Sequence, residues 1–217
     1  MPHNVQPVVD FGRTATDYAR WRQGFPAEFY DRLAALGVGL AGQELLDLGS
    51  GSGLLAREFA RRGCRVTALD PSEALLGESR RQAEEEGLAI EHRLGWAEDS
   101  GLAPGGFDAI AAGTCWHWFD RSKAAAECRR LLRPGGRLAI AHLDWLSRPG
   151  NVIELSLTTI AEFNSRQSDR PVTFQFPAWL DNLMAAGFAQ YEVFGYSTQL
   201  PYSHEGWRGR IRASAGV

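Results

Sequence analysis

The chain predicts a doubly wound α/β fold, a mostly parallel sheet with helices on both faces. Three observations carry that expectation. A short apolar run, residues 44–48, feeds a glycine-rich bend, Gly49-Ser50-Gly51-Ser52-Gly53. Strand-like and helix-like stretches then alternate as far as residue 142, which calls for parallel strands joined by covering helices. A strong turn at Arg133-Pro134-Gly135-Gly136 divides the last helix of this series from its last strand.

In chain order, residues 1–10 read as disordered. Residues 16–36 read as helical with a break at Gly24-Phe25-Pro26. Tyr18, Trp21 and Arg22 share one helical neighbourhood there. Lying ahead of the first core strand, this segment (about 14–36) is free to act as a lid. Gly37 to Gly42 is a turn. Leu45, Leu46 and Leu48 suit a buried strand. Residues 54–62 read as the first covering helix, whose free N–H groups favour an anion or a polar group. Residues 65–70, R-V-T-A-L-D, form a short strand ending in an acid. Pro71-Ser72 opens a helix to about residue 86. A weaker strand over 88–94 leads into Gly95-Trp96-Ala97-Glu98-Asp99-Ser100. Residues 107–112 are a clean buried strand ending in the cluster Gly113-Thr114-Cys115-Trp116-His117-Trp118-Phe119. A helix over 122–132 carries basic residues near its C-terminus, as the helix dipole favours. Residues 137–142 are the fifth strand, which completes a core over about 43–142.

Past residue 142 the rhythm changes. A loop over 144–150 holds Trp145. A helix is expected over 152–164, a polar stretch over 165–170 and an extended one over 171–176. A short helix follows over 177–187, with Pro177 near its start. Residues 188–200 alternate as one long strand, expected to be a sixth, antiparallel one. Residues 201–217 hold His204, Trp207, Arg208, Arg210 and Arg212 in a helix. The chain is expected to be one domain, with 143–217 its C-terminal cap and edge region.

Composition narrows the class. The 217 residues are 44% hydrophobic and 23% charged, as in globular chains. A net charge of -3 and a pI near 6.0 supply no general attraction to nucleic acid or anionic lipid. No apolar run is long enough to span a bilayer, and the N-terminus lacks the order of a signal peptide. The three cysteines have neither zinc-knuckle spacing nor the even count of a disulfide framework. A reducing cytoplasm is the expected home. The five histidines have no H-x-x-x-H or H-x-H partner, so no metal site is expected.

Three ligand classes use such a glycine bend. A phosphate-binding loop ending in Gly-Lys-Ser/Thr is excluded, because the bend has no lysine. A dinucleotide fold wants G-x-G-x-x-G, and here the third glycine comes one residue early. Asp70, placed beyond the end of the second strand, can accept hydrogen bonds from both hydroxyls of a ribose. Its alternative role is a helix cap beside Ser72. Residues 45–53 resemble the first motif of the class I S-adenosylmethionine-dependent methyltransferases, Rossmann-like enzymes of the broad methyltransferase-domain type that act on small molecules.

The resemblance runs from about residue 16 to the C-terminus. It implies S-adenosyl-L-methionine as cofactor, with Gly49, Ser50 and Gly51 around its methionine part and Asp70 on its ribose. Pro71 and the pair Ala97-Glu98 would border the adenine, with Trp96 standing where relatives often carry an aspartate. Thr114 to Phe119 would face the transferable methyl, and Tyr18 and Arg22 would reach the amino-acid end from the lid. Such folds insert a last strand between the fifth and sixth. None is legible after residue 200, and a truncated sequence is favoured over a new topology.

A sulfonium already makes the methyl electrophilic, so the chain must mainly hold a nucleophile in line and exclude water. No nucleophile–base–orienter triad is legible. His117 is the candidate general base or orienting group; packing between Trp116 and Trp118 is its alternative. Trp21, Trp116, Trp118, Trp145, Trp207 and Arg208 are candidate acceptor-binding residues, the arginine being able to grip a carboxylate. The expected function is methyl transfer to a small molecule, an organic acid or an aromatic compound, without nucleic-acid or membrane partners. A cofactor-binding protein without turnover is one alternative, and an NAD(P)-dependent oxidoreductase a less favoured one.

Overall fold

The computed structural model describes residues 19–163 and 176–213. The expected alternation forms. In chain order the elements are α1 Ala27–Ala35, β1 Glu44–Leu48, α2 Leu54–Arg61, β2 Arg65–Asp70, α3 Glu73–Glu85, β3 Ile90–Leu94 and β4 Phe107–Gly113. They continue with α4 Arg121–Leu131, β5 Leu132–Ala141, α5 Val152–Phe163, α6 Phe176–Ala185 and α7 His204–Arg212. The break at Gly24-Phe25-Pro26 also forms, with Pro26 at the N-cap position of α1. Expectations for residues 1–10, for Tyr18 and for 165–175 lie outside the described residues.

The five strands pair in parallel in the order β3-β2-β1-β4-β5. The order reverses between β1 and β4, the place where an open α/β sheet leaves a crevice. Successive side chains of a strand point to opposite faces. Leu46 and Leu48 accordingly join Ile110, Trp116, Ala124, Cys128 and Leu131 on the α4 face. Leu45 joins Val66, Ala68, Phe59 and Tyr30 on the α1–α2 face. Burial on both faces is why β1 reads as a continuous apolar run. Ser72, Asp120 and Ser203 cap α3, α4 and α7 by accepting from the amides of Leu75, Lys123 and Gly206. Glu127 on α4 anchors the loop after β3, accepting from Ser100 N–H at 3.0 Å. Arg130 beside it, together with the Ser100 donors, holds its carboxyl down at about 2. Among the described residues no helix is long and apolar enough to cross a membrane.

Two expectations are corrected. The turn at Arg133-Pro134-Gly135-Gly136 does not precede β5 but bulges within it. Leu132 already pairs with Phe107, and Arg137 pairs with Ala109 after a register shift. Residues 188–200 form no strand, so the antiparallel sixth strand is not among the described residues. Their alternation is present, but no sheet face receives it: Tyr191, Val193, Phe194 and Tyr196 stay exposed. Arg32 on α1 holds the stretch instead, its guanidinium 4.6 Å from the Tyr196 ring centre.

Candidate functional site

A continuous cleft of about 3310 Å³ runs from the C-terminal ends of β1, β2 and β4 along β5 as far as Gly135, several times the ~300–1,000 Å³ of an ordinary small-molecule pocket. Its floor is the glycine bend. Gly49 has φ 70°, and a side chain there would put Cβ 2.9 Å from the Phe119 ring and 3.0 Å from Cys115 Sγ. Both the backbone conformation and the space therefore demand glycine. Its amide and that of Ser50 donate to the Leu69 carbonyl, which fastens the bend to β2.

Asp70 completes the floor from the neighbouring strand end. Its Oδ2 accepts from Gly51 N–H at 2.8 Å and its Oδ1 from Ser72 N–H at 2.9 Å. Desolvation pushes this carboxyl up, and the two amides pull it back. Each oxygen retains a further lone pair for a ligand. Asp47, at the end of β1, is a floor residue that the sequence reading missed. It is wholly buried and its Oδ2 accepts from Ala56 N–H at 3.0 Å. Desolvation pushes it up to about 7, the Ala56 amide opposing and the Asp70 charge adding. Among the described residues, Asp47 Oδ1, Ser50 Oγ and Ser52 Oγ are buried without a hydrogen-bond partner.

The segment after β4 forms one wall. Thr114 has φ 58°, a left-handed conformation rare for a β-branched residue. The Cys115 thiol donates to the Leu48 carbonyl at 3.1 Å, pinning this wall to β1. A three-residue 3-10 turn then spans Trp116–Trp118. It sends His117 and Trp118 to the cleft and Trp116 into the core, where that ring is fully buried edge-on to Phe119. Trp116 is thus a packing residue and not part of the acceptor wall. His142, just past β5, faces His117 with ring centres 5.3 Å apart. It too was missed, as was Trp179 of α6, 4.9 Å beyond it.

Arg22 also lines the cleft, but Trp21 does not. The Trp21 ring packs against α7, so closely that a Cβ on Gly209 would lie 2.4 Å from it. Pro71 lines the cleft beside Leu75 and Trp96. Ala97 and Glu98 do not: Ala97 is buried in the α4-side core, and Glu98 Oε1 accepts from Asp120 N–H at 2.7 Å. On the C-terminal side Trp145 and Trp207 lie 5.2 Å apart, with Arg210 4.9 Å over Trp145. Trp207 Nε1 donates to Ser156 Oγ at 2.9 Å. Arg208 also lines the cleft. The fold therefore gathers the bend, Asp70, Thr114, His117 and the C-terminal aromatic–basic group around one space.

Residues 46–140 match a family described as methyltransferase domain. An uncharacterized methyltransferase of Mycobacterium tuberculosis is 34% identical over 151 residues, 67% of this chain and 59% of its own length. The chain thus spans less than two thirds of that relative. A ubiquinone biosynthesis O-methyltransferase of Xanthomonas euvesicatoria is 31% identical over 185 residues, 81% of this chain and 72% of its own length. Among solved structures, phosphoethanolamine N-methyltransferase 2 of Haemonchus contortus, in complex with S-adenosyl-L-methionine, superposes with a TM-score of 0.59 at 22% identity. The match covers 86% of this chain and 45% of that one and is a likeness of fold.

Proposed function

The chain belongs to the class I S-adenosylmethionine-dependent methyltransferase family, and on that premise we propose that it transfers the methyl of S-adenosyl-L-methionine to a small molecule bearing an aromatic or acidic group. The observation that carries the reading is the coupling of the glycine bend to Asp70 across two adjacent strand ends, through the Gly51 N–H bond. The cradle fits the cofactor. Its bend leaves no room for a Cβ at Gly49, and its buried Ser50 hydroxyl and Asp47 oxygen have no hydrogen-bond partner among the described residues. Asp70 would accept from the two ribose hydroxyls, while the bend, Ser50 and Arg22 would meet the amino-acid end. Pro71, Leu75 and Trp96 would border the base. When bound, the cofactor would supply an electrophilic methyl, for which an acceptor heteroatom would give up its proton.

This chain's part is to hold the acceptor, exclude water and take the proton. His117 borders the cleft beside the left-handed Thr114, and its neutral imidazole would take the proton. Trp118 and the Trp145–Trp207 pair offer flat apolar faces, and Arg208 offers a charge for a carboxylate. The name of the Xanthomonas relative supports an oxygen acceptor. The free, buried cysteines support a cytoplasmic location. Calorimetric titration with S-adenosylhomocysteine tests the reading. Wild-type protein should take up one equivalent, and Asp70→Ala should bind at least about tenfold more weakly, as the loss of one charged hydrogen-bonding group implies. Folded wild-type protein that takes up none would overturn it. A screen of hydroxylated aromatic acids with labelled cofactor then identifies the acceptor.

A further inference from the structure

The fold sets two histidines side by side that lie 25 positions apart in the chain, at 117 and 142. Gly113 pairs with Ala141 in register, and Thr114 N–H donates to the Ala141 carbonyl at 2.7 Å. The segments leaving β4 and β5 therefore run together. Trp118 lies 4.8 Å from the His117 ring, His142 5.3 Å from it, and Trp179 4.9 Å beyond His142. These four rings form a chain along the cleft. His117 is exposed on its short turn, whereas His142 is half-buried. The His142 Nε2 atom is wholly buried and has no hydrogen-bond partner among the described residues.

We propose that His142 is a positioning residue for His117: on rotation of either ring its buried Nε2 comes to engage the His117 ring and fixes that ring's orientation and tautomer. The purpose of this arrangement rests on the methyl-transfer reading; its geometry does not. A buried nitrogen without a partner stabilises the fold most when it gains one. Which nitrogen of a histidine carries its proton is set by the bond the other nitrogen makes. Burial pushes the His142 imidazole down from its usual range and Asp144 partly restores it, so the neutral ring is the favoured partner. His117 faces it from the β4 side, and Trp179 on α6 brings no charge. Two imidazoles this close hold one proton more readily than two, because the second charge is repelled by the first. The pair thus takes the one proton that leaves the acceptor, on His117, and releases it to water after transfer.

The test is an NMR titration of carbon-labelled histidine in the full chain, read in the free protein and again with S-adenosylhomocysteine. His142→Phe keeps a ring against Trp179 but has no Nε2, and His142→Leu serves the same comparison where that variant does not fold. In wild-type protein the His117 resonance should titrate in two steps, or with its midpoint displaced by about one unit or more from the variant's. In the variant it should follow a single simple curve. His142→Gln, which restores a polar atom, should recover part of the displacement. Identical His117 curves in wild type and variant overturn the proposal. Failure of S-adenosylhomocysteine to bind would count against methyl transfer, while the free-protein comparison would still decide the histidine pairing.

Discussion

Asp47 and Asp70 end adjacent strands, and burial raises both carboxyls. For Asp47 the consequence is a pH-dependent stability. Its folded value, about 7, stands above the ordinary 3.8. An acid raised in this way stabilises the fold while protonated. Its contribution is complete below about pH 4 and is lost as pH climbs through about 7. Asp47→Asn should therefore flatten the fall in melting temperature across that window. At about pH 8 it should melt higher, by about 2–4 °C per kcal/mol gained, as scanning calorimetry would measure. The two tryptophans flanking His117 make a second contrast. Trp116→Ala should cost about 3–5 kcal/mol in a urea melt, as for other fully buried large rings. Trp118→Ala should cost under ~1 kcal/mol. From the sequence both looked alike. A 3-10 turn advances about 120° per residue, so residues two apart face different ways, and only the fold reveals which one goes inward.

At the scale of elements, the glycine bend was legible because its cause is local. An apolar run reaches its end, and the next five residues alternate glycine with serine. Gly49→Ala should destabilise the protein by about 1–3 kcal/mol, through a strained φ and contact with Phe119 and Cys115. It should also abolish S-adenosylhomocysteine uptake in the molecules that still fold, which calorimetry on the refolded fraction would read. The features that escaped the sequence are non-local. Residues 188–200 carry a strand's alternation, but a strand needs a neighbour's free edge as well as a pattern. The bulge in β5 depends on its pairing with the start of β4, where Phe107 meets Leu132 and Ala109 meets Arg137. His142 follows an apolar strand, and only the adjacency of β4 and β5 brings it to His117. Ala97 and Glu98 matched a motif, yet local hydrogen bonding and packing turned both away from the cleft.

Over the whole molecule, the two ends of the described chain are joined to each other. Gln23 Nε2 donates to the Pro201 carbonyl at 2.7 Å, the Trp21 ring lies against Gly209, and Arg32 covers the Tyr196 ring. The segment expected to act as a cofactor lid thus also packs against α7. Hydrogen exchange followed by mass spectrometry should show protection at 19–35 and at 201–212 appearing together when S-adenosylhomocysteine binds. Gly209→Leu, which displaces Trp21, should leave the N-terminal segment unprotected while the bend at 49–53 still responds. Protection confined to one end in the wild-type protein would sink this coupling.

The uniform direction of the five strands has a practical corollary. Every strand starts on the rim remote from the crevice, and the glycines at 87 and 105, just ahead of β3 and β4, border open space. A short peptide handle spliced in at either point would anchor the molecule to a bead or a sensor chip with its ligand mouth turned outward. Immobilised in that pose, it would be read by whatever small molecules flow past.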